Sequence, residues 1–216
     1  MELLTTAAAA DRLGVTERQA RNLAAHGEIT LLARGVVDAE SVTRYLRRRG
    51  TITRRVWSEG TAWAALHVLA GLSVDWVGAA QVSRLRSQLN GMSAAEVASR
   101  VRNRAVARQY ESHLSARGRV AAQLVTGAAT IGDLGTERDL DGYVDTQDLA
   151  SLMSRFRLRE DSSGTITLRS TDHLDQARRL SETDPGLLAA IDLATSVDVR
   201  ERDAAFYVIS DALGSL

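Results

Sequence analysis

Four polar side chains, Arg18, Gln19, Arg21 and Asn22, fall close together just after Thr16. Arginine can donate two parallel hydrogen bonds to guanine O6 and N7, and asparagine or glutamine can pair in the same two-point way with adenine N6 and N7. Displayed near the start of one helix, such a set could read base edges in the major groove of duplex DNA. Thr16-Glu17-Arg18-Gln19 carries the pattern that starts such a helix. The Thr16 hydroxyl can accept from the Gln19 amide while the Gln19 side chain reaches back to the cap. Ala20, Leu23 and Ala24 then share one apolar face, which turns Arg18, Gln19, Arg21 and Asn22 outward.

A second group of cations suits phosphate rather than bases. Arg34 lies at a turn, Arg44, Arg47, Arg48 and Arg49 recur along one stretch, and Arg54 and Arg55 follow. Contacts of this kind give affinity without sequence information.

The elements that must hold these residues follow from local signals. Thr6 is expected to cap a first helix with Ala8, Ala9 and Leu13 inward, closed by Gly14. Gly27 closes the second helix. Ile29-Thr30-Leu31-Leu32, a turn through Ala33-Arg34-Gly35, and Val36-Val37 form a hairpin pattern. Asp38 then caps a third helix with Val42, Tyr45 and Leu46 inward and its arginines outward. Helix, turn, helix, hairpin and helix is the order of a winged helix-turn-helix. The segment Leu3 to Leu46 resembles the excisionase and MerR-like winged DNA-binding family. The likeness lies in the run from Leu4 to Thr16, in Gly27-Glu28-Ile29 and in Asp38-Ala39-Glu40-Ser41-Val42.

Charge supports the same division of labour. All 27 Lys+Arg residues of the 216-residue chain are arginine. Walker-type phosphate loops, Schiff-base chemistry and protein-kinase catalysis normally need a lysine, so those classes are disfavoured. The absence of cysteine removes disulfides, thiolate nucleophiles and zinc-thiolate sites, and fits a reducing, cytoplasmic setting. Met1 to Arg119 carries 18 Arg against 10 Asp+Glu, whereas Val120 to Leu216 carries 9 Arg against 17. The net charge of zero therefore conceals a basic front half suited to a polyanion and an acidic rear half suited to a basic partner. The most apolar stretch, Trp63 to Val77, contains His67 and Asp75 and is too short to span a bilayer.

The expected fold class is mainly α with small β-hairpins, in three domains. Residues 1–50 form the winged helix-turn-helix, 51–119 a basic helical middle, and 120–216 an acidic α+β region. In the middle segment, Ser58-Glu59-Gly60-Thr61 starts a helix through Leu69, Gly78 to Leu89 forms another closed by Asn90-Gly91, and Ser93-Ala94-Ala95-Glu96 is a second capping box. Trp57, Trp63 and Trp76 are expected to anchor its core. In the last segment, Val120 to Val125 is expected to be helical and Asp148 to Phe156 forms a helix. Phe156-Arg157-Leu158 is expected to pair with Ile166-Thr167-Leu168 across Asp161-Ser162-Ser163-Gly164. Two further helices follow Pro185, one through Leu187, Leu188, Ile191 and Leu193, and one capped by Asp198.

Other chemistry finds less support. Glu137, Asp139, Asp141, Asp145 and Asp148 fall in an EF-hand-like register with Gly142 at the turn position. Both end positions carry the wrong acid, and Gly132 and Gly135 interrupt the helix that should enter, so a polar turn at Asp141-Gly142 with Asp145 as a cap is expected instead of a metal site. His26, His67, His113 and His173 have no metal-ligand spacing, His67 has a core environment, and no serine stands in a Gly-x-Ser-x-Gly elbow. Neither catalysis nor a cofactor is expected.

A second resemblance lies in short stretches after the first segment. Arg55 to Leu66, Ser83-Arg84-Leu85-Arg86, Arg102-Asn103-Arg104-Ala105, Asp141-Gly142-Tyr143-Val144, Ala190-Ile191-Asp192-Leu193-Ala194 and Asp198 to Ala205 resemble actinobacterial antitoxins of the AbiEi type. The resemblance implies an N-terminal winged helix that represses its own operon, binding double-stranded operator DNA, and a C-terminal part that counters a nucleotidyltransferase toxin. A basic toxin would suit the acidic rear half. The alternatives are an excisionase-like architectural factor that bends DNA and a winged module that binds protein only.

Overall fold

The computed structural model describes residues 3–13, 15–25, 28–33, 35–49, 56–127, 140–161, 163–196 and 198–216, with the backbone alone for Arg44 and residues 46–49. The chain is mixed α/β, with 11 α-helices and two small sheets among the described residues. It forms two compact units, Met1–Arg54 and Arg55–Leu216. No helix among the described residues is long and apolar enough to cross a membrane.

In the first unit, β1 (Leu3–Thr5) leads into α1 (Thr6–Leu13) and α2 (Glu17–Ala25), then β2 (Leu31–Ala33), β3 (Val36–Asp38) and α3 (Ala39–Arg49). β3 is the central strand, paired antiparallel with both β1 and β2. The turn from β2 to β3 places Gly35 at φ +81°, a left-handed conformation that glycine adopts without a side-chain clash. The first strand was not foreseen, and it moves the helix start. The Thr5 hydroxyl, rather than that of Thr6, accepts from the Ala8 amide at 3.1 Å. Asp38 caps α3 as expected, accepting from the Glu40 and Ser41 amides at 3.2 and 3.1 Å. Ala9, Ala10, Leu13, Ala20, Ile29, Val37 and Val42 make a small core, with Leu23, Ala24 and Tyr45 packed at its edge.

The second unit opens with α4 (Glu59–Leu69), α5 (Ala79–Leu89) and α6 (Ala94–Arg100). From Ala62 to Leu69 every residue of α4 is buried, as befits a helix apolar on all sides. The Ser93–Glu96 capping box forms, with the Glu96 amide donating to Ser93 Oγ at 3.3 Å and the Ser93 amide to Glu96 Oε2 at 2.9 Å. There follow β4 (Val106–Glu111), α7 (Arg117–Ala121), β5 (Leu140–Asp145), α8 (Leu149–Phe156), β6 (Arg159–Glu160) and β7 (Ile166–Thr171). α9 (Leu174–Thr183), α10 (Pro185–Leu193) and α11 (Val199–Gly214) complete the unit.

The sheet order is β5-β7-β4-β6, with β5 and β7 parallel and the other pairs antiparallel. β4 belongs to the stretch expected to be a separate helical domain, yet it lies between strands of the last segment. Residues 56–127 and 140–216 thus share one sheet, and Tyr143, Leu180, Leu188 and Ile209 join Trp63 and Leu66 in one core. The expected hairpin of 156–158 with 166–168 does not form. β6 and β7 lie on opposite sides of β4, and Phe156 ends α8 and packs with Leu158 into a second core beside Tyr110, Ile166 and Leu168.

The link from β6 to β7 crosses β4. The Asp161 amide donates to Gln109 O at 3.0 Å on one flank, and Gly164 passes over Tyr110. A Cβ on Gly164 would lie 2.3 Å from the Tyr110 carbonyl oxygen, so only glycine fits there. Asp141-Gly142 is also not a turn. Both residues lie in β5, while Asp145 accepts from the Gln147 amide at 2.8 Å just before α8.

Candidate nucleic-acid interface

α2 is built by the signals read from its sequence. The Gln19 amide donates to Thr16 Oγ1 at 3.3 Å, and the Thr16 amide donates to Gln19 Oε1 at 3.1 Å. Ala20 is buried, whereas Thr16, Arg18, Gln19, Arg21 and Asn22 are exposed. Arg18, Arg21 and Asn22 fall at i, i+3 and i+4, so the helical repeat places them on one face. Arg21 Nη2 lies 3.9 Å from Glu17 Oε2, with both side chains more than half exposed, a pairing worth well under about 1 kcal/mol and readily exchanged for another anion.

Gln19 has a different standing from its neighbours. Two-point pairing with adenine needs both ends of the amide, but Oε1 already accepts from the Thr16 amide and hydroxyl. Its geometry suits it to hold the start of α2 so that Arg18, Arg21 and Asn22 are presented at a fixed angle. Arg44, Arg47 and Arg48 lie on α3, where only their backbone is described, and Arg34, Arg54 and Arg55 lie outside the described residues. Of the EF-hand-like register, Glu137 and Asp139 also lie outside them. Asp141 and Asp145 stand in β5, and Asp148 precedes α8.

The second unit contains a polar cluster that sequence reasoning did not assemble. Arg104 is buried, donating from Nε to the Tyr143 hydroxyl at 2.8 Å and from Nη2 to Asp192 Oδ1 at 2.6 Å. The Tyr143 hydroxyl itself donates to Asp192 Oδ1. Arg169 donates to both oxygens of Asp141, each at 2.7 Å, and its Nε lies 3.3 Å from Asp192 Oδ1. Register explains the convergence. Tyr143 pairs with Arg169 across the parallel β5–β7 ladder, and the two-residue repeat puts Asp141 on the same face. Burial pushes the Tyr143 hydroxyl well above its usual range, so it stays protonated and acts as a donor.

Two arginines and two carboxylates balance, and they draw on each other for their hydrogen bonds. The arrangement can fix the seating of α10 against the sheet; its chemistry is positional. Nearby, Trp63 Nε1 donates to Arg104 O at 2.9 Å and to Thr171 Oγ1 at 3.1 Å, and the Thr171 hydroxyl donates to Glu59 Oε1. His67 is buried as expected, its Nε2 2.9 Å from Gln176 O and its ring edge-on to Trp76. Compared with protein-family models, curated proteins and solved structures, the chain matches none.

Proposed function

We propose that the unit Met1–Arg54 is a winged helix-turn-helix that binds operator DNA, with α2 in the major groove and the β2–β3 turn as the wing. The chain then acts as the autorepressor and antitoxin of a toxin-antitoxin pair. The observation that carries the DNA-binding reading is the capped α2, which presents Arg18, Arg21 and Asn22 together on an exposed face. Arg44, Arg47 and Arg48 on α3, with Arg34, Arg54 and Arg55, supply phosphate contacts in this reading. The antitoxin role rests on the resemblance of the stretches from Arg55 onward, and the acidic excess after Val120 suits a basic nucleotidyltransferase toxin as partner.

Fluorescence anisotropy with the promoter region upstream of the chain's own gene tests the first part. Binding that is tighter than to shuffled sequence, and that weakens steeply with salt, supports it. Equal binding to both sequences sinks it. Co-expression with the neighbouring gene, scored by growth rescue, tests the antitoxin role.

A further inference from the structure

The last segment is acidic as a whole, yet its fold gathers cations at one place. Along Arg155-Phe156-Arg157-Leu158, every arginine is exposed and both apolar residues are buried. The alternation continues through the end of α8 because Arg157 adopts φ 52°, the one positive-φ non-glycine among the described residues. From α7, Arg119 approaches the same aromatic ring. Its guanidinium carbon lies 5.9 Å from the Phe156 centroid and that of Arg155 lies 5.2 Å from it. Between them is an open recess of about 210 Å³ lined by Arg119, Ala122, Gln123, Arg155 and Phe156.

Three features fit this recess to phosphate. Among the described residues, Arg119, Arg155 and Arg157 have no carboxylate at ion-pair distance. The nearest acid in sequence, Glu160, is taken by Arg108 at 2.9 Å. A guanidinium held over an aromatic face keeps its in-plane N–H groups for an anion and loses less freedom on binding one. Exposed Gln123 adds a neutral donor.

We propose that Arg119 and Arg155, with Gln123, form a site for the phosphate backbone of a nucleic acid on the second unit. This site is distinct from α2 and independent of any operator. A single small phosphate would suit an enclosed pocket, whereas an open recess continued by arginines at alternate residues suits a repeating anion.

The test uses the full chain with a labelled random-sequence duplex and the corresponding single strand, across a salt series. Arg119→Gln with Arg155→Gln is expected to weaken binding to one or both probes several-fold. It should also make the slope of log affinity against log salt shallower by about 1 per arginine removed. Arg178→Gln, whose guanidinium is engaged by Asp175 at 2.9 Å on α9, is the control for general charge loss and should change neither. Thermal unfolding checks that the variants fold, and the single substitutions serve if the pair does not. The proposal is overturned if the wild-type chain binds neither probe at low salt, or if the double variant matches wild type or Arg178→Gln. Displacement of the probe by inorganic phosphate beyond that by chloride at equal ionic strength supports recognition of phosphate. Arg21→Ala with Asn22→Ala should leave this random-sequence binding in place, which separates failure here from failure of the operator reading.

Discussion

Arg104 and Asp192 meet at 2.6 Å in the interior of the second unit, their side chains only 5% and 11% exposed, although 88 residues separate them in the chain. Asp192 Oδ1 also takes the Tyr143 hydroxyl and lies 3.3 Å from Arg169 Nε, so one carboxylate oxygen ties two strands and an arginine after α6 to the end of α10.

Removing that carboxylate leaves two arginines without their shared counter-charge. Asp192→Ala is expected to cost about 3–5 kcal/mol, the loss typical of a buried ion pair broken on one side. Tyr143→Phe removes one hydroxyl from the same network and should cost less, about 1–3 kcal/mol. Urea unfolding of the two variants beside wild type checks both values and their order. If Asp192→Ala unfolds at the wild-type midpoint, the cluster does not hold α10.

Why this cluster escaped sequence reasoning is physical. Arg104, Asp141, Tyr143, Arg169 and Asp192 come from five separate stretches, and their meeting depends on the parallel register of β5 on β7, which no local pattern specifies. β4 was missed because, of its six residues, Tyr110 is the one that is buried, leaving no apolar alternation to find. The false hairpin at 156–168 had a good turn sequence, but Phe156 and Leu158 are drawn into a core instead of across to β7. Where local chemistry decides, the sequence was legible: the boxes at Thr16–Gln19 and Ser93–Glu96, the cap at Asp38 and the apolar run of α4 all stand as read. The exposed row on α2 was legible for the same reason, whereas the capping role that occupies the Gln19 carbonyl could be weighed against base reading only with its geometry in hand.

The crossing over β4 gives a steric prediction. Gly164→Ala places a methyl against the Tyr110 backbone and should destabilise by about 1–3 kcal/mol or more. Gly118→Ala is the internal comparison, since that helical position on α7 has open space and alanine favours the helix by about 0.5–1 kcal/mol. Opposite shifts in thermal midpoint are the expected result, and a stabilised Gly164→Ala would refute the crossing.

His67 makes stability depend on pH. Burial is the main cause that lowers its pKa from 6.5, and the nearby Arg179 charge acts in the same direction. The unfolded chain therefore binds the proton more readily than the folded one, so the contribution of neutral His67 is full above the unfolded value and is lost as pH falls through and below it. Wild type is expected to lose more stability than His67→Gln between pH 7.5 and 5.5, measured by urea unfolding at each pH. Parallel losses in the two proteins would place the pH dependence elsewhere.

The operator reading yields a contrast between two helices. If α2 reads bases, Arg21→Ala or Asn22→Ala should cost about 1–3 kcal/mol on the cognate site and relax base preference there, because each removes a directional contact to one base pair. Arg47→Ala or Arg48→Ala on α3 should instead weaken cognate and shuffled DNA alike and flatten the salt slope by about 1, because a phosphate contact carries no sequence information. Gln19→Ala separates cap from reader. Loss of the capping box lowers helix stability by about 0.5–2 kcal/mol and should weaken cognate binding without changing which base is preferred. Anisotropy titrations on cognate and single-base-substituted duplexes at several salt concentrations measure all three, and equal losses on cognate and random DNA for Arg21→Ala would falsify the assignment of α2 as the reading helix.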